Sequence, residues 1–368
     1  MINQSRFASL INVLPDATGV DTLYVVVRGT FTLTPSPQLG EAQPPPTASD
    51  VYWGEPGASS LKYASDIHVG KIGTDVALVG SAHAPAGRPV TEMLAALTVA
   101  GRRKVVRVVG DRVWRGVIGR SIGRSIGRST APEPFVSMPL VYERAFGGRD
   151  HADHHADAGP GEAGTRGEGR VLAEERNPVG AGFRGRRWLA RGSALRLPNL
   201  EDPRRPWRTV GDRPPPAGFA FVAPCWQPRC AYAGTYDDVW RTTRAPFLPA
   251  DFDARFCNAA SADLTFDRGL FGGEPLVLEG VSRRGPQRSS IPAARPHVEV
   301  VVARRRERPP VHLETVLIEP DEGDDEGEEG DGRLSLTWRA AVRCDRRALK
   351  IESIHIREES GPCPAPSS

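Results

Sequence analysis

Residues 22–34 read TLYVVVRGTFTLT, and this stretch decides the class of fold. It is rich in the β-branched and aromatic side chains that β-strands favour. Towards its end, Thr30 and Thr32 alternate with Phe31 and Leu33, as in a strand with two different faces. The sequence therefore predicts a β-strand over this stretch.

Similar apolar runs occur on both sides of this strand and predict a sheet-rich chain. Residues 93–100 fit either a helix or a strand. Gly110-Asp111 lies between two of the runs and predicts a hairpin turn, although Gly-Asp is a weaker turn pair than Asn-Gly. The further predicted strands are 75–84, 104–109, 112–117, 276–281, 298–302, 311–318, 334–342 and 349–356.

Composition also favours short strands joined by turns. The chain has 39 glycines and 34 prolines in 368 residues, and both residue types disfavour long helices. We predict a mainly β protein with two β-sandwich or distorted-barrel lobes, joined by a long loop-rich, aromatic-anchored middle region. The predicted divisions are an N-terminal lobe over 1–148, the middle region over 149–270, a C-terminal lobe over 271–358 and a frayed tail over 359–368. The aromatic anchors of the middle region are Trp188, Trp207, Trp226 and Trp240.

Charge and targeting signals exclude several functional classes. The 48 basic and 45 acidic residues leave a net charge of +3, which argues against a dedicated nucleic-acid binder. The N-terminal residues lack the apolar stretch of a secretory signal, and no run is long enough to cross a membrane. The five cysteines are irregularly spaced, which indicates reduced thiols. We therefore expect a cytoplasmic protein without a membrane partner.

Two groups of residues resemble metal sites. His151, Asp153, His154, His155 and Asp157 could supply imidazole and carboxylate ligands, but they lie among glycines and alanines, in a segment typical of a variable polar loop. Ordering such a loop around an ion costs conformational entropy, so we expect no functional metal there.

Cys225 and Cys230 bracket a turn, but two thiols do not make a zinc site and no matching pair follows. The glycine pairs lack a phosphate-loop context. Ser59 or Ser60 with His68 and Asp66 follows no known hydrolase order, so we predict neither a cofactor nor a catalytic set.

Two segments of low complexity interrupt the chain. Residues 118–129 repeat the sequence IGRS, which predicts a surface loop insertion, with a basic arm that contacts phosphates as the alternative. Residues 319–331 are acidic and predict a solvated, extended hairpin loop.

A series of short segments around aromatic, proline and glycine residues forms a recognisable pattern. The longest is PEPFVSMPLVYERAFGG at 132–148. The others are Ser65-Asp66, KIGTDV at 71–76, RNPVG at 176–180, LPNLE at 197–201, PAGF at 216–219, AGTYD at 233–237 and LPADFD at 248–253.

In this order the segments resemble the family called domain of unknown function 2169, which is associated with bacterial type VI secretion. The resemblance implies a non-enzymatic adaptor or chaperone that binds a secreted effector and helps load it onto the spike. The partners that it implies are the effector toxin, a PAAR-like tip domain and a valine–glycine-repeat spike protein.

Polar and aromatic residues of these segments are candidates for partner binding, because Tyr, Trp and Arg anchor protein interfaces. A buried structural network is the alternative for each residue. The candidates are Tyr142, Glu143, Arg144, Phe146, Trp226, Tyr236 and Asp237.

The alternative function is a carbohydrate-active or other hydrolase of β architecture. Trp226, Trp240, Tyr236 and Asp237 would then line a ligand groove, with Asp251 or Asp253 as a second carboxylate.

Overall fold

The computed structural model describes residues 1–117, 126–150, 172–184, 194–322, 330–344 and 348–358. Within these ranges the protein is mainly β, as predicted. The His151–Asp157 group, Trp188 and the tail 359–368 lie outside the described residues. Across the same ranges, no helix combines the length and the apolar character needed to cross a membrane.

Short strands dominate the chain, and the helices are single turns apart from one. The strands are β1 (Ile2–Asn3), β2 (Ala8–Pro15), β3 (Asp21–Thr32), β4 (Val51–Tyr52), β5 (Leu61–Tyr63), β6 (Thr74–Leu78), β7 (Ser81–His83), β8 (Glu92–Val99), β9 (Arg102–Val109), β10 (Val113–Val117), β11 (Ile126–Ser129), β12 (Ser137–Pro139), β13 (Phe146–Gly147), β14 (Arg149–Asp150), β15 (Leu172–Ala173), β16 (Ala181–Gly182), β17 (Ala194–Arg196), β18 (Leu200–Glu201), β19 (Thr265–Phe266), β20 (Pro275–Glu279), β21 (Gln287–Ser290), β22 (Pro296–Val302), β23 (Arg305–Glu307), β24 (Val311–Glu322), β25 (Gly330–Arg343) and β26 (Ile351–Glu358). The α-helix is α1 (Asp238–Thr243), and the 3₁₀ turns are Pro85–Gly87, Tyr142–Arg144, Arg229–Tyr232, Ala254–Cys257, Ala262–Leu264 and Ala348–Lys350.

The largest sheet has six strands in the order β19-β6-β24-β25-β3-β2. The hairpin of β24 and β25 lies at its centre, and β3 pairs antiparallel with β25 along nearly its whole length. β6 pairs parallel with β24. Almost every residue of β3 is buried, which explains why its sequence is rich in β-branched and aromatic residues.

The two faces of this sheet differ in polarity. The register places Val27 opposite Trp338 on the apolar face and Arg28 opposite Thr337 on the polar face. A four-stranded sheet, β1-β26-β22-β23, packs on the apolar side, where Val300 is fully buried in the same core as Trp338. This pairing of sheets is a β-sandwich.

A five-stranded sheet, β18-β9-β8-β20-β21, completes the architecture and shares that core through buried residues such as Leu97 and Leu278. The two-lobe description is not confirmed. β2, β3 and β6 pair in one sheet with β24 and β25, and β8 and β9 pair with β20 and β21. Segments from the two ends of the chain therefore build the same sheets.

The predicted hairpin at Gly110-Asp111 is wrong. β9 pairs with β8 through a turn at Ala100-Gly101, where both residues have positive φ angles of 49° and 79°. Gly110 instead allows a close approach of two backbones, because a Cβ there would lie 1.8 Å from the carbonyl oxygen of Glu133. The glycine marks a crossing point and not a turn.

The predicted strand 75–84 is divided into β6 and β7. Between them the Gly80 carbonyl accepts a hydrogen bond from the Leu140 N–H at 3.0 Å, which draws the chain towards β12. The end of the IGRS repeat also differs from the predicted loop, since Ile126–Ser129 forms β11 and pairs with β10. Residues 118–125 lie outside the described part.

The acidic hairpin is confirmed at its base, because β24 extends to Glu322 and β25 begins at Gly330. In the middle region, Trp207 and Trp226 are buried, as expected of aromatic anchors. Trp207 packs edge-on against Trp114 with ring centroids 5.3 Å apart, in a small core of its own that also holds Phe146.

Candidate functional site

Tyr142 and Trp226, two of the predicted partner-binding residues, pack against each other in the main core. Their rings meet edge-on at 5.7 Å, and they are only 3% and 1% exposed. Gly218 leaves room for this contact, because a Cβ there would lie 3.2 Å from the Tyr142 ring. Burial raises the pKa of Tyr142. These rings stabilise the fold, and neither offers a surface to a partner.

Glu143 and Arg144 join the same turn to distant segments. The Glu143 carboxylate accepts hydrogen bonds from the Ser60 N–H and hydroxyl, both at 2.6 Å. The Arg144 guanidinium donates to the Asn199 side-chain oxygen at 3.1 Å and to Asp111 at 3.3 Å. Both side chains therefore form hydrogen bonds within the protein, which fits the alternative prediction of a buried structural network.

Phe146 is 1% exposed, and its backbone is held by the RNPVG segment. The fully buried Asn177 amide donates to the carbonyl oxygens of Tyr142 at 2.8 Å and Phe146 at 3.0 Å. Gly147 has a φ of 153°, and a Cβ there would lie 2.1 Å from the Asn177 carbonyl oxygen. The prediction of Phe146 as a partner anchor is therefore corrected, because its ring and backbone are part of this packed joint.

Tyr236 and Asp237 lie in a different environment, at the start of α1. The Asp237 carboxylate accepts a hydrogen bond from the Trp240 N–H at 2.8 Å and so caps the helix. The Tyr236 ring contacts the Trp240 ring with centroids 4.7 Å apart, and the Trp240 indole N–H donates to the Phe247 carbonyl oxygen at 2.9 Å.

Three apolar side chains in or next to this short helix are exposed to solvent. Tyr236 is 55% exposed, Val239 66% and Phe247 38%. Together with Trp240 they are named the α1 platform. Sequence reasoning missed Val239 and Phe247; the available signal was a valine next to Trp240 in a short helix that carries an aspartate cap.

Hydrogen bonds fix the α1 platform to the rest of the molecule. Asp251 accepts from the Thr235 N–H at 3.0 Å and from its hydroxyl at 2.7 Å. Arg244 donates to the Ala17 carbonyl oxygen at 2.8 Å, in the turn between β2 and β3. A Cβ on Gly19 in the same turn would lie 3.5 Å from the Phe247 ring. The exposed apolar groups are thus held in a defined position.

The strand β2, which leads into this turn, is an exposed edge strand. It is the last strand of the six-stranded sheet, and within the described residues its backbone pairs with β3 alone. Its sequence ASLINVLP carries no charge, and Ile11 and Val13 are 42% and 41% exposed. Natural proteins usually protect long apolar edge strands with charges, prolines or bulges. This one has an uninterrupted register and no charged residue, and its proline, Pro15, stands only at its last position.

A buried ionic network covers the polar face of the sheet. Arg339 donates to Glu314 at 2.6 Å and approaches the His68 ring at 3.0 Å. Burial, together with the charges of Arg339 and Lys71, lowers the pKa of His68 well below its ordinary value. His68 is therefore neutral at pH 7. No hydrogen bond joins Ser59 or Ser60 to it among the residues described, so the drawn hydrolase set does not assemble.

The carboxylates of the hydrolase alternative also serve as local caps. Asp253 accepts from the Arg255 N–H at 2.9 Å, and Asp251 binds Thr235. Hydrogen bonds lower the pKa of both aspartates, whereas a general acid needs a raised pKa. With Trp226 buried as well, no described observation favours a ligand groove at this place.

The prediction that the His151–Asp157 group binds no functional metal is untested, because these residues lie outside the described part of the chain. Where the structure places residues, no three His, Cys, Asp or Glu side chains meet as a metal site. Cys225 is exposed and Cys230 is half-buried, and both are free thiols; burial raises the pKa of Cys230.

Comparison with known proteins gives one match. The model of the family described as "Uncharacterized protein conserved in bacteria (DUF2169)" matches residues 18–339. No curated protein and no solved structure matches the chain.

Proposed function

We propose that this chain, which belongs to the DUF2169 family, is a non-enzymatic adaptor and chaperone that binds a type VI secretion effector and helps load it onto the spike. It would act in the cytoplasm, before export. The partners would be the effector, a PAAR-like tip domain and a valine–glycine-repeat spike protein. The secretion link derives from the resemblance of the sequence segments, and the binding role derives from the surface of the protein.

The observation that carries the binding role is the α1 platform. Val239, Tyr236 and Phe247 keep between 38% and 66% of their surface in solvent although a network of hydrogen bonds fixes the backbone beneath them. Clustered, rigid apolar groups in water are a mark of a protein interface. Rigid aromatic side chains lose little conformational entropy on binding, so they make efficient anchors.

The neighbouring β2 edge supports the same proposal. Its outward backbone groups and its exposed Ile11 and Val13 suit an extended segment of another protein, which would add a strand to the sheet. A chaperone that shields an effector needs such an adhesive surface, and the helix beside the edge would supply side-chain contacts.

The test uses co-purification of the chain with each of the three partner types. Val239→Asp places a charge at the most exposed point of the α1 platform and should weaken capture by about 2 kcal/mol or more, roughly thirtyfold. Arg241→Ala is the matched control, because this residue lies on the same helix and its side chain is 70% exposed. Both variants should melt at the wild-type temperature.

Two outcomes would contradict the proposal. Capture of a partner with wild-type affinity by folded Val239→Asp would remove the α1 platform from the interface. Failure of the wild-type chain to capture any of the effector, tip or spike proteins would remove the adaptor role itself.

A further inference from the structure

A cavity of about 760 Å³ opens at one end of the β-sandwich. Its walls are the first residues of β22, from Pro296 to Val298, the first residues of β24, from Val311 to Leu313, and the loop from Asp267 to Phe271. It therefore enters between the two sheets, where a ligand can reach the edge of the core. None of the sequence segments considered above predicted it.

The charges around this cavity are mostly positive. Arg268, Arg295 and Arg308 line it, with Asp267 as the acidic residue of the lining. Arg308 donates to Glu299 at 2.9 Å. Arg268 and Arg295 have no ion pair or side-chain hydrogen bond to any residue that the structure describes, and Arg295 is half-buried. Both arginines therefore line the cavity without a protein partner among the described residues, Arg268 at an exposed position and Arg295 at a half-buried one.

The floor of the cavity is apolar. Trp338 and Leu313, which line it, are 3% and 7% exposed. Phe271 stands at the rim with 55% of its surface exposed. An apolar floor beneath free arginines selects a ligand that carries both carboxylates and apolar groups.

We propose that this cavity binds an acidic peptide segment of the partner protein, with carboxylates on Arg268 and Arg295 and an apolar side chain between Phe271 and Trp338. Arginine pairs with carboxylates through two parallel hydrogen bonds, which gives both strength and orientation. The proposal rests on the adaptor function in taking a polypeptide as the ligand, but its site is separate from the α1 platform.

The sequence also holds acidic residues after Glu322, the last residue of β24, whereas the cavity lies at Val311, the first residue of that strand. A second copy of the chain is therefore an alternative source of an acidic segment, and the test below distinguishes this occupant.

The experiment measures the anisotropy of a labelled peptide in which glutamates alternate with leucine and proline. The same peptide with lysines in place of the glutamates is the ligand control. The double variant Arg268→Glu/Arg295→Glu should lose about tenfold or more in affinity, because both charge-assisted contacts become repulsive. Arg283→Glu/Arg288→Glu is the protein control: it changes the net charge equally, at exposed positions outside the cavity.

Equal binding of the acidic and basic peptides, or equal binding by the two double variants, would overturn the proposal. Inorganic phosphate that displaces the acidic peptide at the concentration of peptide itself would identify a small-anion site instead. Self-association of the wild type that disappears in Arg268→Glu/Arg295→Glu, measured by light scattering, would assign the cavity to a second copy and overturn the partner peptide.

The two proposals fail separately. If the acidic peptide binds but no secretion protein does, the adaptor function is wrong and the cavity stands. If Val239→Asp abolishes partner capture while the wild type does not bind the peptide, the adaptor stands and the cavity assignment is wrong.

Discussion

Removal of the Lys71 charge should destabilise the protein strongly. Lys71 and Asp75 form an ion pair at 2.9 Å whose side chains are only 2% and 0% exposed. The Asp75 carboxylate also accepts from Asn258 at 3.0 Å and from the Ala259 N–H at 2.7 Å. In Lys71→Met the carboxylate loses its counter-charge but stays buried. Removing one partner of a buried pair costs about 3–5 kcal/mol of the free energy of unfolding.

The pH dependence follows from the pKa of Asp75. Burial by itself raises this pKa, but the charge of Lys71 and the hydrogen bonds from Lys71, Asn258 and Ala259 outweigh it and hold the pKa below its ordinary value. The pKa in the unfolded chain is about 3.9. The carboxylate therefore contributes its full stability above that value and loses it as the pH falls through the folded pKa. The cost of Lys71→Met should shrink in the same acidic range, since Asp75 is then protonated in both proteins.

Urea unfolding followed by tryptophan fluorescence measures this cost. Lys350→Met is the control, because Lys350 is exposed and should change the free energy of unfolding by less than about 0.5 kcal/mol. Lys71→Met/Asp75→Asn should recover part of the loss, because no buried charge is then left alone. A change of under about 1 kcal/mol in Lys71→Met at pH 7 would refute the reasoning.

Two further predictions test the packing of the middle region and the backbone crossing at Gly110. Trp226→Ala should cost about 3–5 kcal/mol of the free energy of unfolding because the ring is fully buried. Tyr236→Ala should leave the melting temperature within a few degrees of the wild type and weaken partner capture instead, so an equal loss of stability in both would contradict the division into core and surface. Gly110→Ala should cost about 3 kcal/mol or more, because its Cβ would lie 1.8 Å from the Glu133 carbonyl oxygen. Gly211→Ala, where the nearest atom lies at 3.8 Å, should fall within about 1 kcal/mol of the wild type, and similar melting of the two would show that the crossing at Gly110 is not tight.

Local sequence patterns predicted the strands well where burial is complete. The alternation at 334–342 lies within β25, and the run at 22–34 covers β3 from Thr22 to its last residue, Thr32, but extends two residues beyond it. Both patterns succeed because β-branched and alternating residues reflect burial directly. The pairing of the strands could not be predicted from these local patterns. β3 and β25 are adjacent in space but lie at opposite ends of the chain, and no residue of either one specifies the other.

The wrong hairpin has a similar origin. The sequence predicts a turn at Gly110 because glycine is common in turns, but a glycine is equally required where two backbones cross. The sequence of Ala100-Gly101 carries a weaker turn signal, although that is where the turn lies.

The candidate site was predicted in part. Tyr236 and Asp237 lie at the exposed start of α1, whereas Tyr142, Phe146 and Trp226 are core. An aromatic residue in a loop has the same sequence signal in both cases, since only the partner packed on the ring decides its exposure. The cavity could not be predicted either, because Arg268 and Arg295 are distant in the sequence and only the fold places both in one lining.

The pairing of β3 with β25 has a consequence for synthesis of the chain on the ribosome. At about 5–20 residues per second, the roughly 300 residues between the two strands take about 15–60 s to emerge. During this time β3, which is almost wholly buried in the folded protein, has β2 beside it but lacks its central neighbour. The main sheet therefore cannot close until β25 has emerged. The nascent chain remains exposed to aggregation until then, and the cell must protect a protein that is itself proposed to protect an effector.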